Sequence, residues 1–213
     1  MRNVRPKSYE YIESLLPTEN QHMFKSRQAA ESIGLNAISL SATEGQILKF
    51  FVGVSQPKKI IEIGTLTGLS ANYFLSAMPA DGIIWTLEKS EKHAHLAQMA
   101  IDDKRCRIII GDALENLPKL KPEGPFDMIF IDGNKAAYLK YFDWALENIN
   151  SQGMILVDNV FLSGAVWGAE TDQNFNEKQI EAVRTMNQKA FADKTLVSAI
   201  IPTAEGLLIS RKA

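Results

Sequence analysis

The chain is short of several things, and each shortage excludes a class of protein. It has one cysteine, Cys106, so no disulfide framework forms within it, which fits a reducing compartment. No histidine lies at a suggestive place beside that thiol, so Cys106 reads as structural rather than nucleophilic. Neither sign of charge is in excess: 23 Lys and Arg stand against 25 Asp and Glu, leaving −2. There is thus no bulk electrostatic drive toward nucleic acid or an anionic membrane. The first 28 residues are locally somewhat basic (Arg2, Arg5, Lys7, Lys25, Arg27), and this reads as a solvated helix face. No apolar run approaches the ~18 residues that span a bilayer, and no apolar segment follows the charged start as in a secretory leader. The expected location is the cytoplasm. His93 and His95 stand two apart, which on a helix points them to different faces, and His22 is isolated. Gly-x-Ser-x-Gly, a P-loop lysine, zinc spacing and internal repeats are all missing.

What remains is a rhythm. Apolar runs of strand length, Lys59–Ile63, Ile83–Leu87, Arg107–Ile110, Asp127–Ile131 and Met154–Val157, alternate with helical stretches at 69–78, 90–102, 114–120 and 135–149. Continuous apolar strands alternating with helices predict an α/β fold, a parallel sheet covered on both faces. After Asn159 the rhythm changes to a loop reaching about Asp172, a helix over 176–192, and two strands, 196–201 and 207–211, joined as a hairpin. That hairpin makes the last strand antiparallel to its neighbour. Two or three helices precede the first strand, and Gly45 early in one of them marks a place where another backbone comes close. The expected organisation is one domain, 1–213, with an N-terminal helical cap at 1–54 and a core at 55–213.

In an open parallel sheet, ligands bind outside the carboxyl ends of the strands. Here those ends carry polar residues or glycine. The first turn reads EIGTLTGLS, with Gly64 allowing close approach and Gly68 at the start of the next helix. A nicotinamide site wants G-x-G-x-x-G, whereas this turn has G-x-x-x-G. Glu88 ends the second strand, where a carboxylate accepts both hydroxyls of a ribose or simply faces solvent. Asp112 and Ala113 end the third. Asp132 ends the fourth strand and Asp158-Asn159 the fifth, and neighbouring strands lie ~4.8 Å apart. Two carboxylates and an amide oxygen then meet at one edge. That all-oxygen set suits a hard divalent ion such as Mg²⁺, or else caps the turns that follow. Lys135 lies three residues past Asp132; beside a cation it would have a lowered pKa and serve as a general base, or it is a surface lysine.

Through SATEGQIL, IIEIGTLTGLSA, the strand ending in Glu88, GDALENLP, FDMIFIDGNKAAY, GMILVDNV and PTAEGLLISRK, the chain from about Ser39 onward resembles the cation-dependent class I O-methyltransferases that use S-adenosylmethionine. That group contains the catechol and caffeoyl-CoA O-methyltransferases. The resemblance implies a Rossmann-like, seven-stranded, mostly parallel sheet with an antiparallel last strand. It implies that Asp132, Asp158 and Asn159 hold Mg²⁺, or Mn²⁺ or Ca²⁺ in its place. It also implies that Lys135 and Asp132 are catalytic, and that Leu40, Glu62, Gly64, Ser70, Glu88, Ala113 and Asp132 contact the cofactor. A homodimer is what the family implies. The chain departs from the family pattern at Asn134, where Asp is common, at Leu162, where Trp is common, and at Ala42-Thr43, where Pro precedes Glu-Gly.

The expected reaction is in-line transfer of the sulfonium methyl to a hydroxyl of a small catechol-like aromatic acceptor. Loop 160–172 and the N-terminal helices would wall the acceptor, with Phe161, Leu162, Trp167, Tyr138 and Tyr141 as candidate surfaces. The alternatives are the same chemistry on a hydroxylated uridine of tRNA, an NAD-dependent oxidoreductase, and a non-catalytic cofactor-binding module. The missing glycine weighs against the third of these four readings, and the intact Asp132, Lys135, Asp158 and Asn159 against the last.

Overall fold

The computed structural model describes residues 7–171 and 173–213. Arg2 and Arg5 of the basic stretch, and Asp172 at the expected loop end, lie outside the described residues. The chain divides into two compact units, Met1–Ala113 and Leu114–Ala213. The first unit takes the N-terminal helices together with three strands.

That unit holds α1 (Lys7–Leu15), α2 (Gln21–Ser32), α3 (Ala42–Ser55), β1 (Lys59–Ile63), α4 (Leu69–Leu75), β2 (Ile83–Glu88), α5 (Glu91–Ala100) and β3 (Cys106–Ile110). The start of α3 is written locally. The Ser41 hydroxyl accepts the Glu44 N–H at 3.2 Å, and the Glu44 carboxylate accepts the Ser41 N–H at 2.9 Å, a reciprocal cap. Gly45 is needed one residue later, though not for backbone. A Cβ there would stand 2.3 Å from the Tyr73 ring of α4, so the close approach expected from the sequence is to a side chain. β1 pairs with β2 in parallel, Glu62 opposite Thr86, and β2 pairs with β3 in parallel, Glu88 opposite Ile110.

The second unit follows α6 (Ala113–Leu120) with β4 (Phe126–Ile131), α7 (Tyr138–Asn148), β5 (Ile149–Val157), α8 (Glu177–Ala192), β6 (Leu196–Ile201) and β7 (Leu207–Lys212). β4 and β5 are parallel, with Ile131 opposite Val157. β7 lies between β5 and β6, antiparallel to both. The strands run in the order β3-β2-β1 in the first unit and β4-β5-β7-β6 in the second. β1, β2 and the end of β4 are buried almost residue for residue, as strands covered on both faces must be. The edge strands are not: Ile110 on β3 and Val197 on β6 are exposed.

The single helix expected over 135–149 is interrupted. Lys135–Ala137 forms a 3-10 turn, and α7 proper begins at Tyr138. The Asn134 side chain accepts the Ala136 N–H at 3.2 Å, and Ala137 leaves helical geometry at φ −107°, ψ 2°. Such side-chain bonds to nearby backbone compete with the helix itself. Among the described residues, no helix is long and apolar enough to cross a membrane.

Candidate functional site

In the first unit four of the expected cofactor residues, Glu62, Gly64, Ser70 and Glu88, gather at the carboxyl ends of β1 and β2. The turn after β1 takes left-handed geometry three times, at Gly64 (φ +101°), Leu66 (φ +52°) and Gly68 (φ +81°). Glycine adopts that region freely, whereas Leu66 does so only when held there. The Glu88 carboxylate holds it. One oxygen accepts the Leu66 N–H at 2.8 Å and the Thr65 N–H at 3.3 Å; the other accepts the Ser90 N–H at 2.8 Å. His93 Nδ1 stands 3.6 Å from that second oxygen. Glu88 therefore lies against the glycine turn and does not simply face solvent.

Glu62 is fully buried beneath the same turn. Its carboxylate accepts the Ser70 hydroxyl on one oxygen and the Thr86 hydroxyl on the other, both at 2.5 Å. Thr86 in turn shares a hydrogen bond with Thr65. A buried carboxylate is tolerable only when bonded in this way. The network ties the first turn to the start of α4. Leu40 is buried just before α3, its carbonyl accepting a hydrogen bond from Arg27 Nη1 at 3.1 Å. Ala113, at the start of α6, is buried as well.

In the second unit the register of β4 and β5 releases Asp132 and Asp158 from the sheet side by side. Asp158 is buried, its N–H donating to the Ile131 carbonyl at 3.0 Å, and its carboxylate accepts the Asn159 N–H at 2.8 Å. Asn159 sits at φ +61°. The Lys135 ammonium donates to Asp132 Oδ1 at 2.8 Å, to Asn159 Oδ1 at 2.5 Å and to the Tyr138 hydroxyl at 2.5 Å. It also lies 4.8 Å from the centroid of the Tyr138 ring. The Tyr138 hydroxyl donates onward to the Asp158 carbonyl at 3.1 Å. The sequence-expected residues Asp132, Lys135, Asp158 and Asn159 thus form one cluster. No group of three or more His, Cys, Asp or Glu able to hold a metal occurs among the described residues. Two oxygens of this set, Asp132 Oδ1 and Asn159 Oδ1, accept the lysine's cation, and the donors are the oxygens a hard ion prefers.

Tyr138 is corrected from its expected place. It is fully buried, as are Leu162 and, nearly so, Tyr141, so none of the three offers an acceptor a surface. Phe161 is half-buried and Trp167 exposed, and their rings meet edge to face at 5.3 Å. Reasoning from sequence also passed over Thr86, Arg27 and Glu205. Tyr138 had a readable signal, a Lys-x-x-Tyr spacing across a turn. Thr86 had none, since only strand register sets it opposite Glu62. Cys106 behaves as expected: burial first, then the charges of Glu62 and Asp103, push its thiol up to about 12.

A carboxyl-edge glycine turn backed by an acid, on a sheet whose seventh strand runs antiparallel, defines a class I methyltransferase. The chain belongs to the O-methyltransferase family, whose profile matches residues 14–213. A catechol O-methyltransferase of Niastella koreensis is 36% identical over 197 residues, covering 90% of this chain and 87% of the relative. One of Mycobacterium tuberculosis is 29% identical, covering 89% and 87%. Among solved structures, the O-methyltransferase TomG from Streptomyces achromogenes in complex with SAM superposes with a TM-score of 0.85 at 29% identity, over 97% of this chain and 96% of that one. The O-methyltransferase from Bacillus cereus in complex with SAH gives 0.88 at 27% identity over the whole of both chains. These likenesses favour S-adenosylmethionine-dependent methyl transfer over hydride transfer.

Proposed function

We propose that this protein methylates one hydroxyl of a catechol-like vicinal diol on a small aromatic molecule. A divalent cation, Mg²⁺ or Mn²⁺ or Ca²⁺ in its place, would be held by Asp132, Asp158 and Asn159. The observation that carries this reading is that Asp132 Oδ1 and Asn159 Oδ1 converge on the Lys135 ammonium, with Asp158 beside Asp132 by strand register. The relatives named as catechol O-methyltransferases support the acceptor class. Leu40, Glu62, Gly64, Ser70, Glu88 and Ala113 are assigned to the cofactor. Within the proposal the chain works as one methyltransferase domain in the cytoplasm, as a homodimer. Exposed apolar residues on the N-terminal helices, Tyr11, Phe24 and Phe50, support the last point.

When bound, S-adenosylmethionine supplies an electrophilic methyl, and the ion supplies positive charge that lowers the pKa of an acceptor hydroxyl. The chain does the rest. Asp132, Asp158 and Asn159 would hold that ion at the ends of β4 and β5, where its charge would serve to orient the vicinal oxygens. Lys135 Nζ, as the free amine, would take the hydroxyl proton, or as the ammonium would stabilise the oxyanion left behind. Tyr138 keeps that ammonium beside Asp132 by accepting its hydrogen bond while anchored to the Asp158 carbonyl. Glu88 holds the glycine turn open for the ribose. Fixing the reacting groups in this way contributes several kcal/mol, on the order of 7–11 at best, through lost translational and rotational freedom.

The test is turnover of 3,4-dihydroxybenzoate with S-adenosylmethionine, followed as S-adenosylhomocysteine release with and without Mg²⁺. Activity that EDTA abolishes is the expected result. Full activity in EDTA would sink the metal assignment. Cofactor binding without turnover would move the acceptor elsewhere, a hydroxylated uridine of tRNA included.

A further inference from the structure

The segment after Asn159 is the most strained of the second unit. Asn159, Leu162 and Ser163 all lie in the left-handed region, at φ +61°, +48° and +50°, and Gly164 follows at +93°. Side chains with a Cβ leave that region unless something holds them. The turn before β7 does so. The Val160 N–H donates to the Gly206 carbonyl at 3.1 Å, and the Phe161 N–H to the Glu205 carbonyl at 2.8 Å. The Glu205 carboxylate reaches the strained residue itself: one oxygen accepts the Ser163 N–H and the other the Ser163 hydroxyl, both at 2.8 Å. Gly206, at φ +74°, leaves room for the Phe161 ring, since a Cβ there would stand 2.7 Å from it. Two α8 side chains brace the same loop: Asn187 donates to the Val160 carbonyl at 2.9 Å and Arg184 to that of Val166 at 3.0 Å. Glu205 is only 4% exposed. Burying a carboxylate is costly, and this one spends its oxygens on a single loop residue.

We propose that Glu205 is a positioning residue for acceptor and metal binding. It locks loop 160–168 in its left-handed course, which fixes the backbone leaving Asn159 and so the aim of its amide oxygen. It also sets the Phe161–Trp167 pair that faces the acceptor. The inference rests on the reading of Asn159 as an ion ligand and of this loop as the acceptor wall.

The experiment compares Glu205→Ala, Glu205→Gln and Ser163→Ala with the wild type. It reads acceptor KM and kcat, Mn²⁺ affinity by calorimetry, amide exchange across 159–168, and S-adenosylmethionine affinity as an internal reference. For Glu205→Ala the acceptor KM rises about tenfold and Mn²⁺ binding weakens about tenfold, as loss of bonds to a charged group implies. Exchange in the loop quickens, while kcat and S-adenosylmethionine affinity stay within about threefold of wild type, one such bond's worth or less. Glu205→Gln keeps an acceptor for the Ser163 N–H and restores most of the loss. Ser163→Ala shifts the same readings by less. If Glu205→Ala does not fold, those two variants carry the test, and wild-type exchange, KM and Mn²⁺ affinity in Ser163→Ala overturn the proposal. Wild-type KM and Mn²⁺ affinity in Glu205→Ala with quickened exchange would make Glu205 merely structural and overturn it equally. Absence of diol turnover in the wild type defeats the acceptor assignment alone, because exchange and Mn²⁺ affinity still decide the role of Glu205.

Discussion

Lys135 stands on two of the oxygens that the proposal gives to a metal ion, those of Asp132 and Asn159, and that sharing separates two roles at single residues. Removing the lysine removes the base but not the ion's ligands. Lys135→Met is therefore expected to lose turnover by at least about a hundredfold, the usual contribution of a positioned acid or base, while binding Mn²⁺ no more weakly than wild type. Weakened Mn²⁺ binding would show that the ammonium organises the site rather than working in it. Asp158→Ala should do the reverse, losing Mn²⁺ binding and turnover together while S-adenosylmethionine affinity, measured by calorimetry, stays near wild type. At this scale much was legible. Asp132, Asp158 and Asn159 announced themselves as polar residues ending apolar strands, and Lys135 by standing three residues past Asp132. The spacing of Tyr138 from Lys135 signalled nearness but not its role, because an aromatic near a site reads equally well as a wall or as a support. Its complete burial and its bond to the Asp158 carbonyl decide for support.

At the scale of elements, strand positions were readable because continuous apolar runs ended in turn residues, and Lys59–Ile63 and Leu196–Ile201 stand where the pattern put them. Helix ends were less so. The 3-10 turn at Lys135–Ala137 arises from a local side-chain bond that periodicity does not register. Gly45 shows the same limit. Its presence in a helix signalled a close approach, but the partner is the Tyr73 ring, whose hydroxyl is tied to Glu19 at 2.5 Å and which has little freedom to yield. Gly45→Ala is accordingly expected to destabilise by about 1–3 kcal/mol, the usual cost of overpacking, despite the better helix propensity of alanine. A urea midpoint at or above the wild-type value would show that α3 and α4 can separate without loss.

For the molecule as a whole, acid stability should depend on a few anchored carboxylates. Burial alone would push Glu19 up, but hydrogen bonds from Arg27 and Tyr73 and the guanidinium charge outweigh it and hold the group below its ordinary 4.5. The Arg105 hydrogen bond holds Asp103 below its ordinary 3.8. Both folded values are depressed, so the folded state binds fewer protons than the unfolded chain in that range. Their stabilisation is complete above the unfolded values and is lost as pH falls through the folded ones. Tm should be level above about pH 5 and fall below it, and Glu19→Gln should make the fall shallower while lowering Tm at neutral pH. An unchanged acid slope would remove Glu19 from the account. Cys106, with its thiol raised to about 12, should not react with a disulfide reagent at pH 8 until the protein is unfolded.

The sequence by itself determined the alternation of strands and helices, the antiparallel last strand, and the identity of the groups gathered at the strand ends. It could do so because apolar runs, turn residues and terminal carboxylates are local features, each written in a few consecutive residues. Only the tertiary structure decided that Glu88 clamps the glycine turn, that Thr86 shares Glu62, that Tyr138 lies beneath Lys135, and that Glu205 holds a loop some forty residues away in the chain. Those pairings follow from strand register and from where buried polar groups find partners, and neither is encoded within the neighbourhood of the residues concerned.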